Sequence, residues 1–138
     1  MTNTLFCTVG LPRSGKSTWA KTQNFPIVNP DSIRLSIHGQ AFISQTEPLI
    51  WAIAKIMVDA LFLAGHEKVI LDATNTTIER RAQWITHDWK TVFVTFDTSK
   101  EECIERAKKS NKEELVPVIE KMEQEFEPYY AHEQNGFK

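Results

Sequence analysis

The segment GLPRSGKS, Gly10 to Ser17, fits the pattern G-x-x-x-x-G-K-[ST], whose residue types at this spacing do phosphate chemistry. Backbone from Gly10 through Leu11, Pro12, Arg13, Ser14 and Gly15 wraps an anion, and Thr18 lies in the helix whose N-terminus faces it. Lys16 is expected to reach the β- and γ-phosphate oxygens, and the Ser17 hydroxyl to ligate Mg²⁺. Magnesium keeps most of its waters and needs few protein oxygens. Asp72, at the end of the apolar run KVILD, is the carboxylate expected to hold the metal or its waters. Its bland reading is a turn or helix-capping aspartate.

Asp31 and Arg34 form the second pair. If the strand before them lies beside the first strand, its C-terminal end opens onto the crevice where open α/β sheets bind ligands. Asp31 is then placed to take a proton from an attacking hydroxyl. Arg34, one helical turn on, is placed to clamp an anionic acceptor. Spacing alone reads equally well as an N-cap with an exposed i, i+3 ion pair.

The elements that must position these groups follow from pattern. TLFCTV is a short apolar strand feeding the glycine loop, and KSTWAKT starts a helix after it. FPIVN predicts a second strand, and Asp31 caps a helix from about Ser32 to Gly39. A long helix runs from about Pro48 to Ala64 and stops at Gly65. EKVILDATN predicts a third strand ending at Asp72. TIERRAQWITHDW predicts a helix with Ile78, Ala82 and Ile85 on one face, and KTVFVTFD a fourth strand. SKEECIERAKKS predicts a helix with a capping box of Ser99 and Glu102, and PVIEKMEQEF a last helix halted by Pro128. Uniformly apolar strands separated by helices imply an α/β fold with a central parallel sheet covered on both faces. The tail YYAHEQNGFK is too weakly periodic to assign.

A length of 138 residues, 41% of them hydrophobic, fits a single domain with one core. A net charge of −2 argues against coating long stretches of nucleic acid and leaves room for gripping one strand end. Cys7 and Cys103 lack disulfide or zinc spacing and read as buried reduced thiols of a cytoplasmic protein. No secretory signal is expected, and Lys55 and Asp59 inside the longest apolar segment make it a packed helix rather than a membrane span. Trp51, Trp84 and Trp89 read as core in preference to base-stacking platforms. Arg80 and Arg81 read as a solvated or ion-paired helix face.

GLPRSGKSTWA, NPDSIR, DATN, ERRAQW and VFVTFD occur in an order and spacing that resemble the kinase domain of bacteriophage 5′-polynucleotide kinase and its P-loop relatives, over nearly the whole chain. The resemblance implies a kinase-type P-loop NTPase with a helical lid over about residues 106–117. It further implies Mg²⁺-dependent transfer of the γ-phosphoryl group of ATP, or another NTP, to the 5′-hydroxyl of a DNA or RNA end. Asp31 would be the general base, Arg34 would hold the acceptor's phosphate, and Thr74 would face the acceptor. Arg106 matches a lid arginine, and Val116 and Pro117 weakly match a pair that stacks on the acceptor base. Relatives often carry a second lid arginine where this chain has Ser110 among Lys108, Lys109 and Lys112.

Two other readings fit the same residues. One is a P-loop kinase for a different hydroxyl, such as a nucleoside, a sugar nucleotide or a hydroxymethylated base in DNA. The other is a non-catalytic nucleotide-binding module, which would leave Lys16, Ser17 and Asp31 idle.

Overall fold

Alternating burial along TLFCTV sets the frame of the molecule. In this strand, β1 (Thr4–Val9), residues Leu5, Cys7 and Val9 enter one apolar cluster while Phe6 turns to the opposite face and stacks on Phe25 at 6.0 Å. The computed structural model describes residues 2–39 and 42–134. Its elements are β1, α1 (Lys16–Thr22), β2 (Ile27–Val28), α2 (Pro30–His38), α3 (Glu47–Leu63) and β3 (Lys68–Leu71). They continue with α4 (Ile78–Ala82), β4 (Lys90–Thr95), α5 (Lys100–Lys109) and α6 (Val116–Glu125), with short 3-10 turns before α3, before α6 and at Ala131–Gln134.

The described strands form one parallel sheet in the order β2-β3-β1-β4, with Phe6 registered against both Ile70 and Val92. The second strand therefore does not lie beside the first. β3 is inserted between them, and Asp72 at its end stands between the glycine loop and the start of α2. The order reverses at β1, whose C-terminal end carries the loop, so the crevice opens where such sheets bind ligands.

α3 lays Ile50, Ala54 and Val58, all fully buried, against the β2–β3 side of the sheet. It ends at Gly65, whose φ of 107° lies in the left-handed region that favours glycine. Leu11 from the loop, Cys103 and Ala107 from α5 and Ile119 from α6 make a second cluster, which fixes α5 and α6 to the glycine loop. Cys7 and Cys103 are free and buried, as expected. Trp84 and Trp89 are core, with the Trp89 indole N–H donating to the Trp84 carbonyl at 3.1 Å.

Two local expectations are corrected. The cap of α2 is Asn29, whose side chain accepts from the Ser32 N–H, while Asp31 sits in the first helical turn after Pro30. The helix expected over TIERRAQWITHDW is only five residues long. Ile78 is exposed on it, and the chain turns at Gln83. Arg81 on this helix is fully buried, in place of the expected solvated face. Its guanidinium grips Glu133 with two bonds of 3.0 and 2.9 Å and also donates to the carbonyls of Asn75 and Glu127. The tail beyond α6 is thereby packed: Glu133 holds Arg81, and the Tyr129 ring meets Phe93 at 4.9 Å. Residues 135–138 of the unassigned tail lie outside the described residues.

Candidate active site

The glycine loop is shaped by close approach. A Cβ on Gly10 would stand 2.7 Å from Ser14 Oγ and 3.1 Å from Phe96, so a side chain has no room there. Arg13 is held at φ 68°, a left-handed conformation that is strained for a residue with a side chain. Gly15, at φ 105°, forms the N-cap of α1.

Lys16 folds back over the curve of the loop, its Nζ donating to the Leu11 carbonyl at 2.5 Å and to Ser14 Oγ at 3.3 Å. Its burial strips water from the ammonium and pulls the pKa from 10.5 down to about 8, partly opposed by the charges of Asp72 and Asp31. A desolvated lysine ammonium gains from meeting an anion.

Ser17 Oγ donates to Asp72 Oδ2 at 2.7 Å, and Asn29 Nδ2 donates to the same oxygen at 3.1 Å. Asp72 is only 6% exposed. A hydroxyl and a buried carboxylate in contact form a hard-oxygen donor set that fits Mg²⁺. The loop after β3 is zipped to β1. The Thr8 hydroxyl donates to the Ala73 carbonyl, Asn75 Nδ2 donates to the Thr8 carbonyl, and Gly10 N–H donates to the Thr74 carbonyl at 3.0 Å. Arg81 closes this loop from behind through the Asn75 carbonyl.

Arg34 is 13% exposed, and each of its three guanidinium nitrogens donates one bond to a carboxylate. Nε and Nη2 form a fork on Glu47 at 2.9 and 2.7 Å, and Nη1 donates to Asp31 Oδ1 at 2.5 Å. The pairing with both carboxylates outweighs desolvation and raises its pKa. Asp31 itself is 74% exposed, so its carboxylate faces solvent at the entrance of the crevice with one oxygen held by Arg34. Spacing missed Glu47, thirteen residues from Arg34 at the start of another helix. Asn29 was missed as well, although Pro30 just inside the helix marks the preceding residue as a cap.

On the other side, Arg106 leans from α5 across the loop. Its Nη1 donates to the Arg13 carbonyl at 3.2 Å and its Nε to Glu102 at 3.2 Å. Glu102 therefore serves Arg106, while Ser99 caps the helix through the Glu102 N–H. Ser110 accepts from the guanidinium of Arg13, and Lys109 is paired with Glu105 at 3.1 Å. Val116 is half-buried and Pro117 exposed at the first turn of α6, just after the 3-10 turn that precedes it.

A model of the AAA domain family matches residues 5–129. The chain belongs to the AAA domain family. Among solved structures it is similar to a chain of the "Pnkp1/Rnl/Hen1 complex", at 32% identity and a TM-score of 0.68 over 76% of this chain. It spans 39% of the length of that neighbour. The structure of APE1195 matches 96% of this chain, which covers 83% of it, at 20% identity and a TM-score of 0.58. A protein from Chloroflexus aurantiacus matches 83% of this chain and is 75% covered, at 19% identity and a TM-score of 0.55. Together with the sheet order, these matches make the fold an α/β P-loop NTPase fold. Among the described residues no helix is long and apolar enough to cross a membrane.

Proposed function

We propose that this chain is an ATP- or NTP-dependent, Mg²⁺-dependent kinase whose acceptor is the 5′-hydroxyl of a DNA or RNA end. The observation that carries the reading is the Asp31–Arg34–Glu47 constellation on α2 and α3, an acid held by a fixed guanidinium and within electrostatic reach of Lys16 in the nucleotide cradle. The neighbour in the Pnkp1/Rnl/Hen1 complex, at 32% identity, supports the polynucleotide acceptor.

Asp31 uses its second carboxylate oxygen to accept the proton of the attacking hydroxyl, while Arg34 keeps the first in place and holds the acceptor's phosphate. Lys16 follows the charge that develops on the transferred group, and Arg106 covers it from the lid side. Ser17 and Asp72 would hold Mg²⁺, which neutralises phosphate charge when bound. Thr74 lines the acceptor side, and Val116 and Pro117 border the acceptor base.

A second reading, a kinase for a nucleoside-sized alcohol, is favoured by a cavity of about 550 Å³ that runs from Ser17 and Asp72 between α1, α2 and α3, past Ile33, Ser36 and Met57. That volume lies within the range of small-molecule sites.

Incubation with γ-labelled ATP and Mg²⁺ against 5′-hydroxyl DNA and RNA strands, nucleosides and modified-base duplex separates the two readings. Label at the strand end is expected. In the same assay Asp31→Ala should lower kcat about 10²- to 10⁴-fold with NTP affinity largely kept. An unchanged kcat removes Asp31 from the chemistry.

A further inference from the structure

Of the arginines in the chain, Arg34, Arg80 and Arg81 are withdrawn from solvent. Arg34 and Arg81 each carry a two-bond carboxylate partner, Glu47 and Glu133. Arg80 does not. Its guanidinium lies over the Trp51 ring, 4.0 Å from the centroid, and Nη1 donates to the neutral amide of Gln83 at 2.8 Å. No ion pair to it is formed among the described residues. Partial desolvation and the nearby charge of Arg34 both pull its pKa down, with Glu47 and Glu79 opposing.

A half-buried cation beside a like charge, without a carboxylate of its own, is unfavourable until an anion arrives. The arrangement is also stiff. Trp51 packs on Trp84 at 6.4 Å, and the Arg34 guanidinium approaches the same indole at 5.9 Å. Two guanidiniums thus share one ring, one bonded to Asp31 at the crevice mouth and the other further out on α4.

We propose that Arg80, laid flat on Trp51 next to Arg34, is a second phosphate subsite that reads the next internucleotide phosphate of a single-stranded acceptor. The proposal rests on the polynucleotide reading above and sharpens it: the preferred acceptor carries at least two phosphates. Because Arg80 occupies the Trp51 face, that indole does not serve as a base platform there, and the subsite reads backbone without regard to sequence.

The test compares kcat/KM for a nucleoside 3′-monophosphate, a dinucleotide 3′-phosphate and a ten-nucleotide strand in wild type, Arg80→Gln and Arg80→Lys, with strand affinity measured at several salt concentrations. Wild type should gain about tenfold on acquiring the second phosphate, the scale of one charge-assisted contact. Arg80→Gln should collapse that dinucleotide-to-mononucleotide ratio toward one. It should also flatten the slope of log affinity against log salt by about 0.7, whereas Arg80→Lys keeps the slope. A purely structural role for Arg80 would lower all acceptors together and leave the salt slope alone. That outcome, or a length ratio that survives Arg80→Gln, overturns the subsite while the polynucleotide reading stands. Failure of wild type to label any strand overturns the reading and the subsite with it.

Discussion

Replacing Lys16 by methionine should stabilise the ligand-free protein at neutral pH while abolishing nucleotide binding. Holding the ammonium at about 8 rather than 10.5 costs about 3 kcal/mol at pH 7, at roughly 1.4 kcal/mol per tenfold. The bond from Nζ to the Leu11 carbonyl returns about 1 kcal/mol that methionine forfeits. Lys16→Met should therefore be more stable than wild type by about 2 kcal/mol in urea unfolding at pH 7. The sign is opposite to that of a lysine that gains a partner, whose raised pKa makes stability fall as pH rises. Below pH 8 folded and unfolded chains both carry the proton, and the penalty is full. Between pH 8 and 10.5 the folded chain releases its proton while the unfolded chain keeps it, so wild type gains on the variant as pH rises. At pH 10 the gap should fall close to zero. A variant less stable than wild type at pH 7, or a gap that does not change with pH, would refute the claim that Lys16 is buried as a strained cation.

Gly10→Ala should lose about 1–3 kcal/mol in urea unfolding, because its methyl would meet Ser14 and Phe96 at 2.7 and 3.1 Å; wild-type stability would show the contact to be soft. Asp72→Asn keeps an acceptor for Ser17 but removes the charge. It should raise the Mg²⁺ concentration for half-maximal activity by about tenfold or more, and an unchanged magnesium titration would remove Asp72 from the metal site. Glu47→Gln releases the fork on Arg34, a pair only 13% and 17% exposed. It should cost about 1–3 kcal/mol of stability and raise KM for the acceptor more than KM for NTP; equal rises in the two constants would count against Arg34 as the acceptor clamp.

What could be read from the chain was local. The apolar runs, the glycine loop, the helix that starts at Lys16 and the cap at Ser99 all depend on residues within a turn of each other, and the structure has them where the pattern places them. The partners of the charges were another matter. Arg34 finds Glu47 from the next helix, and Arg81 finds Glu133, 52 residues on. Neither spacing carries a periodic signal, so both arginines looked like surface cations or local ion pairs. The insertion of β3 between β1 and β2 was equally silent, because strands this short and uniformly apolar encode burial on both faces but not which neighbour they pair.

The two kinds of information divide the site in a way that bears on its chemistry. The cradle is made by adjacent residues and is visible as a motif. The loop from Asp72 to Asn75 beside it is held by Gly10, Thr8 and a buried arginine tied to the C-terminal tail. Asp72 contacts Ser17 at 2.7 Å, and groups with no motif of their own support the loop that carries it. Loosening the tail at Glu133 should therefore disturb the Asp72 side of the site before it disturbs the phosphate loop, since the glycine curve closes on itself through Leu11, Ser14 and Lys16, whereas the Asp72 loop is braced from outside.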